Sequence, residues 1–252
     1  MLAVERKNLI YTKLCEQGRV LVNDLAAEFG VSDETIRRDL DKLEQEGLAE
    51  KFYGGAIKVE STFFDLPFHV RQNSNTAEKK RIAELCVPLI HDGDYIALDS
   101  STSALEVIKA AKNVKNLTVI TPSVEVMIEF SQKADWNIVC TGGTLKTGSL
   151  SLVGGIAEKT LSEFNVDLCI CSCKGLDIEK GCTESSESEA EIKAALMRSA
   201  KRKILAVDNS KFGKVSFAKV CDITKFDTVV TDKKPSQDWI DALESADCEL
   251  LY

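Results

Sequence analysis

Two histidines in 252 residues leave little for imidazole-based acid–base chemistry. His69 falls in a polar, broken stretch and His91 in a turn. Long apolar runs are missing as well. None approaches the roughly 20 residues of a membrane-spanning helix, and the charged N-terminus has no signal-peptide core. The chain is therefore expected in the cytoplasm, with no membrane partner. It also lacks an excess of positive charge. A formal net charge of −8 argues against broad, nonspecific coating of nucleic acid, while leaving room for a local DNA-binding surface. Nine cysteines are an odd number in a chain of this length, which speaks against a disulfide framework. Cys169-x-Cys171-x-Cys173 is the densest group. On a strand, alternate residues stand about 6.6 Å apart, too far for three adjacent thiolates to share one zinc at about 2.3 Å. Buried packing is expected for these three, and for the scattered Cys15, Cys86, Cys140, Cys182, Cys221 and Cys248. No metal and no cofactor is expected.

What is present is an ordinary globular composition, 44% hydrophobic and 29% charged. The length suits two domains, each large enough for a core. The pattern divides them as 1–60, a linker at 61–75, and 76–252.

The stretch from Val31 to Gly47 organises the first domain. Ser32 stands as N-cap, Asp33 and Glu34 place negative charge at the positive end of the helix dipole, and Gly47 suits a left-handed C-terminal cap. These signals predict a helix over about 33–46. Ile36, Leu40 and Leu43 share one face and can pack on a core. The opposite face carries Glu34, Thr35, Arg38 and Lys42, with Arg37 on its flank. Alone, this could be a solvated surface helix. Its neighbours change the reading. Residues 5–17 carry Leu9, Ile10 and Leu14 at helical spacing, and Val22 to Phe29 reads as a short helix followed by the tight turn Gly30-Val31. That is a helix-turn-helix with a recognition helix able to reach base edges and phosphates. Next, Leu48–Tyr53 and Ala56–Val59 flank Gly54-Gly55, a signal for a two-residue β-hairpin. Such a hairpin forms a wing, with Lys51, Tyr53 and Lys58 near the phosphate backbone.

Val31-Ser32-x-x-Thr35-Ile36-Arg37-Arg38-Asp39-Leu40-x-x-Leu43, followed by Gly47-Leu48 and Gly54-Gly55-Ala56, resembles the DeoR-type winged helix-turn-helix of bacterial sugar-metabolism repressors. The resemblance implies that Arg37 and Arg38 contact DNA. Residues 1–60 carry nine Lys/Arg against twelve Asp/Glu, so any positive footprint is local to Arg37, Arg38, Lys42 and the wing. A weak monomer that pairs its domains across two half-sites is expected, hence a homo-oligomer, dimer or tetramer.

In the linker, Ser61, Thr62, Pro67 and 72–75 break periodicity, while Phe63, Phe64 and Phe68 suggest a docked segment. Beyond it the pattern alternates. Helices are predicted at 76–90, 102–111, 124–130, 156–164 and 188–200, and strands at 95–98, 117–120, 136–140, 166–173 and 203–207. Further strands at 219–223, 228–231 and 248–251 and a helix at 237–246 complete the sheet. This order describes an α/β domain with a largely parallel sheet.

Ligands bind beyond the carboxyl ends of such strands. After the strand at 95–98 comes Asp99-Ser100-Ser101-Thr102, which opens a helix and suits an anion such as phosphate; simple capping is the plainer reading. Gly142, Gly143 and Lys146 follow the strand at 136–140, where close backbone approach or a plain hairpin are both open. Asp208 and Lys211 follow the strand at 203–207. Together with Gly175, this order looks like the sensor domain of DeoR-family regulators. That domain is similar in fold to ribose-5-phosphate isomerase, and the resemblance implies a phosphorylated sugar or related catabolite as effector. Ser101 stands where the family commonly has Gly, and Lys174-Gly175-Leu176-Asp177 is looser than the usual motif.

The expectation is therefore a DNA-binding transcription regulator of carbohydrate catabolism, a repressor, whose partners are double-stranded operator DNA and a phosphorylated sugar. Two alternatives stand beside it. An isomerase-like enzyme would need a carboxylate base, and Asp99, Asp177, Glu184, Glu187, Glu191 and Asp208 are available. However, Glu184, Glu187, Glu189 and Glu191 read most simply as the acidic first turn of a helix, and an enzyme has little use for a winged helix; no catalytic residue is expected. The second alternative is a C-terminal domain that only oligomerises.

Overall fold

A computed structural model describes residues 2–58 and 66–252. The chain divides into two compact units, residues 1–74 and 75–252.

In the first unit, α1 (Ala3–Gln17) ends at Gly18, whose positive φ of 75° closes the helix. A short strand β1 (Arg19–Leu21) leads into α2 (Val22–Phe29), and Gly30, also left-handed, turns the chain toward α3 (Asp33–Gln45). Two further strands, β2 (Ala49–Phe52) and β3 (Gly55–Lys58), complete a three-stranded sheet in the order β1-β3-β2. A last helix, α4 (Phe68–Asn73), places Val70 in the same core. That core joins Ile10 and Leu14 of α1, Leu25 of α2 and Ile36, Leu40 and Leu43 of α3. An ion pair is buried beside it. Arg6 Nε donates to Asp39 Oδ2 at 2.6 Å, fixing α1 to α3.

Two expectations are corrected here. The hairpin turns at Tyr53-Gly54, one residue earlier than expected, because Phe52 pairs with Gly55 and makes Gly55 a strand residue. A Cβ on Gly55 would lie 2.1 Å from the Val20 carbonyl oxygen, so the third strand β1 can approach only a glycine there. Part of the expected linker is the helix α4; Val59 and residues 60–65, which include Ser61, Thr62, Phe63 and Phe64, lie outside the described residues.

The second unit alternates helix and strand: α5 (Thr76–Cys86), β4 (Tyr95–Leu98), α6 (Thr102–Ala110), β5 (Thr118–Thr121), α7 (Val124–Phe130) and β6 (Asn137–Cys140). A hairpin, β7 (Thr144–Lys146) with β8 (Ser151–Val153), interrupts it before α8 (Gly155–Ser162) and β9 (Val166–Cys171). Then come β10 (Gly175–Asp177), β11 (Gly181–Glu184), α9 (Glu187–Ser199), β12 (Ala200–Ala206), β13 (Ala218–Cys221), β14 (Thr228–Val230), α10 (Gln237–Ser245) and β15 (Glu249–Leu251). Seven strands form a parallel sheet in the order β15-β14-β12-β9-β4-β5-β6. Its central strands read as continuous apolar runs because helices cover both faces. Ile96, Ala97, Leu98, Cys169, Ile170 and Cys171 are buried accordingly.

The strand expected at 219–223 does not join this sheet. As β13 it pairs antiparallel with β11, in a separate three-stranded sheet β10-β11-β13. Strand periodicity marks an extended segment but not its partner. Glu184 is likewise no part of a helical first turn: it ends β11 and is buried, whereas Glu187 and Glu189 do open α9. The expected strand over 166–173 stops at Cys171, and Cys173 is buried beyond it.

Candidate nucleic-acid interface and effector site

Helix α3 forms as its caps dictate. The Ser32 hydroxyl accepts from the Thr35 N–H at 3.3 Å and lies 2.9 Å from the Thr35 hydroxyl. Its inner face is fully buried through Ile36, Leu40 and Leu43, so its outer face is held rigidly toward solvent. Arg37, Arg38, Lys42 and Glu34 are exposed there. Arg38 Nε lies 3.4 Å from Glu34 Oε1 across one helical turn, with both side chains mostly open to water. Such a pair is worth a few tenths of a kcal/mol, so phosphate or a base edge competes for the guanidinium easily. On the wing, Tyr53 projects fully exposed from the hairpin tip and Lys58 is half-buried. Lys51 behaves differently. Its ammonium bonds to Asp41 and lies 3.7 Å from Glu44, while its N–H donates to Glu44 Oε1 at 3.0 Å. It pins the wing to α3.

In the second unit, the carboxyl ends of β4, β9 and β12 lie side by side. The Asp99 carboxylate points inward. It accepts from the Ser101 N–H at 3.0 Å, from the Ser172 N–H at 3.0 Å and from Lys193 Nζ at 3.0 Å. Both its oxygens are thus occupied, and Asp99 shapes the Ser100–Thr102 loop. Ser101 caps α6 by accepting from the Ala104 N–H at 3.1 Å. Lys193, on α9, is buried among Asp99, Glu184 and the Ser172 carbonyl. Burial works to lower its pKa, but the facing carboxylates of Glu184 and Asp99 outweigh it and hold the ammonium charged, well above 10.5.

From Glu184 the polar contacts continue. The Ser185 N–H donates to Glu184 Oε2 at 3.3 Å and the Ser185 hydroxyl to Glu189 Oε2 at 3.4 Å. Lys146 closes the series, 3.3 Å from Glu189 Oε2 and donating to the Ser186 hydroxyl at 2.7 Å. Hairpin β7-β8 thereby brings Lys146 to the N-terminus of α9. Gly142 and Gly143 serve the turn into that hairpin, both at positive φ, and a Cβ on Gly143 would meet the Val153 carbonyl oxygen at 2.7 Å.

Asp208 is buried at the end of β12. It accepts from the Ser210 N–H at 3.0 Å, from the Ser210 hydroxyl and from Asn75 Nδ2 at 3.2 Å. Lys211 follows it, half-exposed, and its ammonium has no partner among the described residues. Gly175 lies apart: a Cβ there would sit 2.4 Å from the Lys214 carbonyl oxygen, so it serves backbone packing. Distance separates these residues further. From β12 to β6 is four strand spacings, about 19 Å, longer than a single sugar phosphate. Lys146, although it follows β6 in the chain, is carried back from that edge by its hairpin to Ser186 and Glu189 at the N-terminus of α9.

A family model described as the DeoR-like helix-turn-helix domain matches residues 6–62, and one described as the DeoR C terminal sensor domain matches residues 74–233. The chain belongs to the DeoR family. It is thus a DNA-binding transcription regulator, from a family of regulators and not of enzymes. A putative aga operon transcriptional repressor of Escherichia coli O157:H7 is 32% identical, covering 98% of this chain and 93% of its own. The glycerol-3-phosphate regulon repressor of Escherichia coli K12 is 31% identical over 93% of each chain. Among solved structures, ribose 5-phosphate isomerase A of Methanocaldococcus jannaschii is similar over 55% of each chain, at 18% identity and a TM-score of 0.41. Among the described residues, no helix is long and apolar enough to cross a membrane.

In this DeoR-family regulator, sequence reasoning missed Lys193 and Ser172 and misplaced Glu184, which it named as a carboxylate but put in a helical first turn. One signal was available for the lysine. Ala190, Lys193 and Met197 have the 3-and-4 spacing of a buried helical stripe, and a charged residue inside such a stripe needs a buried counter-charge.

Proposed function

We propose that this DeoR-family protein represses carbohydrate-catabolism genes as a homo-oligomer, with α3 in the major groove of operator DNA and the wing against the backbone. A phosphorylated sugar at the strand ends of the second unit changes that affinity. The observation that carries the DNA half is the exposed Arg37–Arg38 pair on a helix whose other face is wholly buried. The effector half is supported by the Lys211 ammonium, which has no partner among the described residues and follows the carboxyl end of β12, and by relatives named for a glycerol-3-phosphate regulon and an aga operon. Regulation follows from a difference in effector affinity between DNA-bound and free arrangements.

Duplexes selected by the unaltered protein from a random pool provide the operator for a test. Arg38→Ala should weaken operator binding by about 1–3 kcal/mol, roughly five- to 150-fold, without changing effector binding. A thermal-shift screen of the full chain against phosphorylated sugars, with the free sugars as controls, should find a ligand stabilising by about 2.7 kcal/mol at a hundredfold excess over Kd. Lys211→Ala should lose that shift and keep operator affinity. No shift with any sugar phosphate would overturn the effector reading and leave a sensor unit that only oligomerises. Unchanged operator affinity would remove Arg38 from the groove.

A further inference from the structure

Helix α3 carries its outward charges in a line. Glu34, Arg38 and Lys42 follow one another at intervals of four residues, about 6 Å along the axis, so one acid and two cations run down a single exposed stripe from the N-terminus. The acid is out of place on a surface that faces phosphates. Other carboxylates of the helix are held from behind: Asp39 by Arg6, Asp41 and Glu44 by Lys51, and Glu46 by Lys7. Glu34 has no such anchor. Its side chain is 67% exposed, it takes no part in the cap that Ser32 and Thr35 form, and its one ion-pair partner among the described residues is Arg38. Asp33, one place earlier, is turned about 100° round the helix from this stripe.

Set in a major groove, such a carboxylate discriminates among bases. The N-terminal residues of a recognition helix are those that reach base edges. Thymine O4, guanine O6 and N7 and adenine N7 are acceptors there and face a carboxylate with another acceptor, whereas cytosine N4 donates to it. Adenine N6 also donates, but it stands beside adenine N7. A guanidinium has the opposite demand and pairs with guanine O6 and N7. A carboxylate beside a guanidinium therefore matches a cytosine close to a guanine. Because every other edge leaves the carboxylate facing an acceptor, its effect is to reject wrong sites more than to add affinity.

We propose that Glu34 is a specificity-determining residue, selecting cytosine in the half-site within two base pairs of a guanine contacted by Arg38. The reach follows from the spacing of the two residues, about 6 Å, against a rise of about 3.4 Å per base pair. The proposal rests on the reading of α3 as the groove helix and names a base that the helix reads. The competing role for Glu34 is structural, since an acid in the first turn favours the helix dipole and an ion pair four residues apart adds to helix stability.

The test is the base preference of the full chain on a random duplex pool, compared among the unaltered protein, Glu34→Ala, Glu34→Gln and Arg38→Ala. The unaltered protein should prefer cytosine at one position of the half-site by about fivefold or more, the discrimination of one good base contact. Glu34→Ala should bring all four bases at that position within about twofold of one another and leave the nearby guanine selected. Glu34→Gln should move the preference to adenine, because a glutamine amide matches adenine N6 and N7. A structural role predicts neither change, only a lower melting temperature or affinity with the same bases preferred. That result, with Arg38→Ala still relaxing the guanine, overturns Glu34 as a reader and leaves α3 in the groove. Base preferences that none of the three variants alters overturn both readings.

Discussion

Lys193 shows how one residue can reverse the reading of several others. Asp99 opens a helix beyond a strand, which suits a ligand, yet both its oxygens are taken by Ser101, Ser172 and Lys193. The ammonium ties β4, β9, β11 and α9 together at one buried point, and breaking it would leave two carboxylates facing each other out of water. Lys193→Met should therefore cost about 3–5 kcal/mol in urea unfolding of the full chain. A loss below about 1 kcal/mol would mean that Asp99 and Glu184 are satisfied without it. The helical stripe places a lysine in an apolar face, but its partners lie 94 residues upstream, just beyond β4, and nine upstream on β11. No local pattern joins them.

Among elements, α3 was the most legible, because everything that defines it is local: the Ser32 cap, the acidic first turn, and apolar residues at 36, 40 and 43. The wing was legible as a hairpin and misread by one residue at its turn. What moved it was β1, an unforeseen strand of three residues that pairs with β3 and sets Leu21 opposite Gly55. Gly55→Ala tests that contact directly. The new Cβ would meet the Val20 carbonyl oxygen and the Phe52 ring, so it should destabilise the first unit by about 1–3 kcal/mol and weaken operator binding with it. An alanine variant that melts and binds as the original does would show that β1 is free to move away.

Over the whole molecule, buried titratable groups set a limit at high pH. Burial pushes the Cys86 thiol up to about 12 and the Cys248 thiol up to about 11. Contact with Cys169 and burial hold Cys171 well above 9, contact with Cys182 and burial do the same for Cys173, and Lys193 stays charged far above 10.5. In each case the folded state keeps a proton that the unfolded chain releases. Stability is therefore complete below about pH 9 and falls as pH rises toward 12, by on the order of 2 kcal/mol for a well-buried thiol. Urea midpoints measured under reducing conditions between pH 8 and 11 should decline, and Cys86→Val should decline less steeply. A flat profile would show these thiols to be reachable by water.

Sequence by itself determined what short-range physics can specify. Caps and 3.6-residue spacing defined the helix-turn-helix, and the alternation of apolar runs with amphipathic helices defined a parallel α/β unit. The buried packing of Cys169, Cys171 and Cys173 followed from their place in such a run, whereas Cys140, also expected to be buried, is exposed, and Cys15 and Cys221 are only half-buried. Tertiary structure alone decided which strand pairs with which, sending β13 to β11 instead of the main sheet, and which polar groups face inward. It turned Asp99 and Lys51 away from the surfaces where their positions in the chain had placed them. The reason is the same in each case. A strand's partner and a buried charge's counter-ion are chosen by burial and desolvation among residues distant in sequence, and those terms exist only once the chain has closed on itself.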